Sequence, residues 1–167
     1  MNNIISLLLL LCLINGCSQE QYIYEGKKII VYRNIDKGIE SNVVEGLDLS
    51  SRELVRFPIE KNKLDHLVYL NLNDNNLVKL DSNVCNLSNL KVLLLSRNKS
   101  IELPDCFFGM SQLEVLSIIG CDIQISKAFI TLKNLKKLVI AGNKFDEKDV
   151  VFLKQNLPNC NIITSVD

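Results

Sequence analysis

The sequence predicts an α/β solenoid, with a curved parallel sheet on the concave side and loops and short helices on the convex side. Three observations predict it. The frame L-x-x-L-x-L-x-x-N-x-L-x-x-L is filled by Leu67, Leu70, Leu72, Asn75, Leu77 and Leu80. Frames open at Val44, Leu67, Leu90, Leu113, Leu135 and Leu157, with a spacing of 23 residues for the first three steps and 22 for the last two. The turn position of the frame carries Asn75, Asn98 and Asn143, with Cys121 in the fourth copy. A frame recurring at fixed period means stacked units rather than one globular core.

The elements follow from that frame. The x-L-x-L-x segment is a short strand, whose side chains alternate between faces. Leu47 and Leu49, Leu70 and Leu72, Leu93 and Leu95, Leu116 and Ile118, and Leu138 and Ile140 therefore point inward. No unit buries its leucines alone, so each depends on its neighbours. A buried Asn amide supplies donors and an acceptor for adjacent backbone groups, and the Cys121 thiol is a weaker substitute. Arg52 fills this slot in the first frame, which suggests an end repeat open to water, and Ser100 stands where an outer-loop leucine belongs.

On the outer side, Leu80, Val84 and Leu87 pack under one loop, and Leu103, Phe107 and Met110 under the next. Ile125, Phe129 and Leu132 serve the fourth. The fifth predicts a helix, with Asp146 as N-cap, Asp149 three residues on, and Val150, Leu153 and Leu157 on one face before Pro158.

This frame and period resemble the leucine-rich repeat family, over residues 44 to about 165. The ending Leu157-Pro158-Asn159-Cys160-Asn161-Ile162 is similar to the closing half-repeat of bacterial members. The resemblance implies protein binding through the concave sheet.

Ahead of the repeats, Ile4 to Ile14 is an apolar run interrupted by Ser6 and Cys12. It is shorter than the ~20 residues that span a bilayer and suits a signal-peptide core. No Lys or Arg precedes it. Leu13-Ile14-Asn15-Gly16-Cys17 resembles a bacterial lipobox, which implies a signal peptide over 1–16 and Cys17 as a lipid anchor, with 17–21 as tether. An ordinary secretory leader cleaved near Gly16 and an uncleaved start are the alternatives. The absence of Asp after Cys17 favours the outer membrane. Residues 22–43 form a cap over the first frame: a hairpin turning at Glu25-Gly26, then a short helix from Asn34 to about Ser41.

The chain has 167 residues and no formal net charge, which suits one domain and offers no basic face for nucleic acid. No Cys/His spacing suits a metal, and no cofactor is expected. Cys121 and Cys160 are expected as buried small groups on inward frame positions. Cys85 and Cys106 lie on the outer side of adjacent repeats. Two unbridged thiols are the preferred reading, since bridge geometry is strict; a disulfide there would need an oxidising compartment. His66, the sole histidine, falls in a loop and is expected to be solvated rather than a general base. No catalytic residues are expected.

The concave face can be read from the frame. Tyr69, Val92, Leu94, Val115, Ile119 and Val139 are apolar where water is expected, and adjacent repeats place them side by side with Lys137. Contiguous exposed apolar patches mark contact sites. Glu45, Asp48 and Asp74 at one end and Lys136 and Lys137 at the other form a polar rim. The sequence thus predicts a non-catalytic protein-binding module at the bacterial cell envelope, an outer-membrane lipoprotein or else a secreted protein. An envelope scaffold or self-associating lipoprotein is the alternative.

Overall fold

A computed structural model of the chain describes residues 19–33, 43–57 and 64–165. The leader, Cys17 and the expected helix after Asn34 lie outside the described residues. Among the described residues, no helix is long and apolar enough to cross a membrane.

Eight strands form one open sheet in chain order, β1 to β8. Strands β1 (Gln19–Tyr24) and β2 (Lys27–Tyr32) are an antiparallel hairpin that turns at Glu25-Gly26, where both residues have positive φ. Strand β1 begins at Gln19, so residues 19–21, expected as tether, belong to a strand. Strands β3 (Gly46–Asp48), β4 (Tyr69–Asn71), β5 (Val92–Leu94), β6 (Val115–Ser117), β7 (Lys137–Val139) and β8 (Asn161–Ile163) then pair in parallel.

The register is the one the frame demands. Leu47, Leu70, Leu93, Leu116, Leu138 and Ile162 are consecutive partners across the sheet. All six are buried, in a single core that runs the length of the solenoid. Each such leucine contributes about 1.5–3 kcal/mol by leaving water, and only because the next coil covers it.

One register expectation is corrected. Asn161, not Asn159, lies beside Lys137, so the last repeat is two residues longer than a frame opening at Leu157 implies. Helix α1 (Glu147–Asn156) and the turn after it take up the extra length. Leu157 caps that helix instead of opening a strand, and Cys160 is half-buried, off the inward row. The helix start is as expected: the Asp146 carboxylate accepts from the Asp149 N–H at 2.9 Å, and the Asp149 carboxylate accepts from the Asp146 N–H at 3.0 Å. This reciprocal bonding satisfies two N–H groups that a helix start leaves unpaired.

The three preceding repeats carry shorter outer elements, 3-10 helices at Ser82–Asn86, Asp105–Gly109 and Lys127–Thr131. Each drives one bulky side chain into the core: Val84, Phe107 and Phe129. Ile101 is buried and covers for Ser100.

The turn asparagines knit the coils together. The Asn98 side-chain amide donates to Leu72 O at 2.9 Å and Leu95 O at 2.7 Å, and its oxygen accepts from Leu77 N–H at 3.1 Å. Asn75 donates to Leu49 O and Leu72 O and accepts from the N–H groups of Arg52 and Leu54. Cys121 makes weaker contacts of this kind, its thiol lying 3.2 Å from Leu95 O and 3.7 Å from Ile119 O. Just before each of these slots sits a residue with positive φ: Ser51, Asp74, Arg97, Gly120 and Gly142. The chain leaves the sheet through a left-handed residue in every repeat. Two copies use glycine, the residue that adopts this conformation without steric cost.

On the outer side, Cys85 and Cys106 form a disulfide, with Cα atoms 6.1 Å apart. It links the 3-10 helices of adjacent repeats. The preferred expectation of two free thiols is thereby corrected: one coil-to-coil step brings the two cysteines within bridging reach, even though they stand at different places in their frames.

Candidate functional site

The concave face is partly occupied by the chain's own hairpin. Strand β2 meets β3 only through Val31–Gly46 and Tyr32–Leu47. Beyond that contact the hairpin lies over the concave side, and Gly46 allows its close approach. A Cβ on Gly46 would lie 2.5 Å from Val31 Cγ2 and 3.1 Å from the Ile30 carbonyl oxygen. No side chain fits there, whereas the equivalent positions in the next repeats carry Tyr69, Val92, Val115 and Lys137.

Two contacts show how far the hairpin reaches. The Tyr22 ring stacks on Tyr69 with centroids 5.3 Å apart. The Tyr24 hydroxyl donates to Glu114 Oε2 at 2.7 Å, two repeats further on. At the tip, Glu25 pairs with Lys136, and Lys27 pairs with Glu45 at 2.7 Å. Alternation along β1 turns Tyr22 and Tyr24 to the sheet and leaves Ile23 exposed. Val92 and Val115, which lie between these anchor points, are only 3 % and 2 % exposed.

Glu114 is the centre of this arrangement. It is buried, yet its carboxylate accepts from Tyr24, from Lys91 Nζ at 3.1 Å and from Lys136 Nζ at 2.5 Å. Burial by itself would raise its pKa. Hydrogen bonds from Lys136, Tyr24 and Lys91 outweigh that effect and hold it below the ordinary carboxylate range. The tyrosines move the other way. Burial and the nearby carboxylates keep Tyr24 and Tyr22 neutral well above the usual phenol range, and burial with the neighbouring Tyr22 does the same for Tyr69. An aromatic stack of this kind contributes about 0.5–1.5 kcal/mol, and a hydrogen bond to a charged acceptor roughly 1.5–3 kcal/mol. The hairpin is therefore held firmly but separately from the leucine core.

The apolar patch expected from the sequence divides accordingly. Tyr69, Val92 and Val115 belong to the row under the hairpin. Leu94 and Ile119 remain half-exposed, Lys137 is half-exposed, and Val139 is 7 % exposed. The patch is thus not one continuous open surface, because half of it is already in contact. Polar concave residues are similarly engaged. Ser96 and Ser117 share a hydrogen bond at 2.8 Å, and Asn73 Oδ1 accepts from Ser96 N–H at 2.7 Å. Asp48 Oδ1 accepts from the N–H of Ser50.

Reading the frame alone missed Tyr22, Tyr24 and Glu114. Two signals pointed to them: the lone glycine in the Gly46 row, since glycine in a strand marks a close backbone approach, and the tyrosines two apart on one face of the hairpin. His66 is exposed, as its loop placement implied. Among the described residues, no group of His, Cys, Asp and Glu could hold a metal ion.

The comparisons bear on this geometry. Residues 65–123 match the family described as leucine rich repeat. A leucine-rich repeat protein of Leptospira interrogans superposes with a TM-score of 0.66 at 27 % identity, over 80 % of this chain and 34 % of that one. An internalin of Listeria monocytogenes gives a TM-score of 0.61 at 19 % identity, over 78 % of this chain and 37 % of its own. Internalin C2 of the same species gives 0.52 at 20 %, over 72 % and 49 %. The chain thus spans between a third and a half of the length of these structures. No curated protein matches it. The aligned leucines, the asparagine ladder and these likenesses together give the described residues the fold of a leucine-rich repeat solenoid.

Proposed function

We propose that the chain is a non-catalytic protein-binding module of the bacterial cell envelope and that it engages its partner through the concave sheet. Leucine-rich repeat proteins generally act in protein binding, and the similar solved structures are bacterial. The observation that carries the reading is the pair Leu94, on β5, and Ile119, in the turn just after β6, apolar and half-exposed in neighbouring repeats. Tyr69, Val92 and Val115 continue that surface beneath the hairpin.

Export and anchoring form the second part of the proposal. The Cys85–Cys106 bridge suits an oxidising compartment, in keeping with the apolar leader and the Cys17 lipobox. With Cys17 as the anchored residue, only Ser18 would separate the lipid from strand β1. An envelope scaffold remains the second reading, because β8 ends the sheet with an outer edge that has no partner strand among the described residues.

The test is a capture experiment from envelope and host extracts, with Leu94→Asp and Ile119→Asp combined as the control. Loss of a specific partner with unchanged thermal unfolding supports recognition. Capture that survives both substitutions removes it. Mass that rises with concentration in light scattering would favour self-association. Mass spectrometry of the membrane fraction should find diacylglycerol on Cys17; an unmodified Cys17 there removes the anchor.

A further inference from the structure

Residues 19–33 form a hairpin that joins the solenoid's sheet through Val31–Gly46 and Tyr32–Leu47 and rests on the concave face beyond that junction. Ile29, Val31 and Tyr32 are buried on the β2 side, where Tyr32 joins the leucine core at the junction with β3, while the inward side chains of β1 stand outside that core. The hairpin makes a stack, a hydroxyl-to-carboxylate bond and ion pairs at the tip. The surface beneath offers a matching set: the Tyr69 ring, the Val92 and Val115 side chains, the Glu114 carboxylate and the Lys136 ammonium. Such a set recognises chemistry rather than mere bulk. A ring lies on Tyr69, a phenol two residues later reaches Glu114, and a carboxylate on the next residue reaches Lys136. The spacing is that of an extended strand, in which alternate side chains share a face.

Resting on the concave-binding reading above, we infer that the hairpin is a displaceable strap whose seat accepts, in its place, an extended segment of the pattern aromatic-x-Tyr-acidic. The chain's own Tyr22-Ile23-Tyr24-Glu25 is the template for that partner. An external segment competes against an intramolecular one, whose effective concentration is on the order of millimolar for a short connection. Partner binding is therefore weak while the strap is closed and stronger once it is released. The anchoring charges make the seat selective: a segment with Phe in place of the second aromatic leaves one acceptor site of a buried carboxylate without its donor.

The experiment uses the full chain and a probe taken from the strap itself. The probe is a labelled peptide of residues 19–32, closed into a ring so that its hairpin is preformed. The opened protein carries Tyr22→Ala and Tyr24→Ala, changes that leave Tyr69, Glu114 and the leucine core intact. All four tyrosines of the chain lie in the hairpin or under it, and there is no tryptophan. The near-ultraviolet tyrosine signal thus reports the strap and its junction with the solenoid, where Tyr32 is buried.

The opened protein should keep its far-ultraviolet spectrum, and its Tyr69 should become accessible to a soluble quencher of tyrosine fluorescence. It should bind the probe at least about tenfold more tightly than the unmodified chain. A probe with Phe at position 24 should bind at least about tenfold less tightly than the Tyr form, and Glu114→Gln in the opened protein should erase that difference. Equal affinity of the probe for both proteins, or no binding to the opened one, overturns the strap. A probe that binds as expected while Leu94→Asp with Ile119→Asp leaves partner capture unchanged keeps the strap and removes the concave-face reading. The reverse result removes the strap alone.

Discussion

Tyr24 and Glu114, 90 residues apart in sequence, are joined by a hydrogen bond of 2.7 Å that lays the N-terminal hairpin across the concave sheet. The carboxylate also receives Lys91 and Lys136, so one buried acid gathers donors from the hairpin and from two neighbouring repeats. The far end of the hairpin is joined to the solenoid at this group, well away from the β2–β3 pairing.

The bond should respond to acid. Glu114 has a folded pKa below its unfolded value, so its contribution is present above the ordinary carboxylate value of about 4.3 and is lost as pH falls through the depressed folded value. The tyrosine near-ultraviolet signal should therefore fall in acid before the far-ultraviolet spectrum does. In alkali the sign reverses. Tyr22 and Tyr24 are held neutral by the fold, so their contribution is complete below the ordinary phenol value of about 10 and fades as pH rises through their raised values. Coincident loss of both spectra in acid would contradict a separately held hairpin.

Gly46 should tolerate no side chain. A methyl there would meet Val31 at 2.5 Å, and Val31, being β-branched, has little freedom to move aside. Gly46→Ala should cost about 1–3 kcal/mol, the usual range for overpacking, and should weaken the tyrosine signal. Urea unfolding together with near-ultraviolet dichroism checks both. An unchanged signal would mean that the hairpin approaches the sheet in another way.

The asparagine ladder should be uneven in strength. Asn98 is wholly buried, and truncation would strand the Leu77 N–H and take one of two donors from each of the Leu72 and Leu95 carbonyls, which keep Asn75 and Cys121. Asn98→Ala should cost about 1–3 kcal/mol, the range for one buried group left unpaired. Asn143 makes similar bonds but is only half-buried, so water can replace part of what is lost. Asn143→Ala should cost less. Equal losses in denaturant unfolding would argue against burial as the deciding factor.

The disulfide should stabilise the solenoid measurably. It joins residues separated by 21 in sequence, and a loop near that length contributes about 3 kcal/mol through the unfolded chain. Cys85→Ser with Cys106→Ser, or reduction, should lower unfolding stability by that order. Thiol titration of the unfolded, unreduced protein should find Cys121 free but neither Cys85 nor Cys106. In the folded protein the Cys121 thiol should react slowly, because burial pushes its pKa up. Burial likewise pushes the half-buried Cys160 up to about 11, which leaves little thiolate near neutral pH.

Much of this molecule can be read from the order of its residues. The spacing of Leu70, Leu93, Leu116 and Leu138 specifies the parallel sheet, because only coils stacked in register bury those side chains. The Asp146 cap and the Glu25-Gly26 turn are local chemistry, and the Asn75 and Asn98 slots follow from the period, since each bonds a carbonyl of its own coil and one of the coil before. The last repeat escaped the frame by two residues because its helix has its own length, and a fixed period carries no account of that. The contacts that decide which concave surface is open are of another kind. Tyr22 on Tyr69, Tyr24 on Glu114 and Cys85 to Cys106 depend on where distant segments meet in space. Periodicity constrains a residue against its counterparts one coil away; it does not constrain a hairpin that crosses several coils at once, and only the tertiary structure places that hairpin over Val92 and Val115.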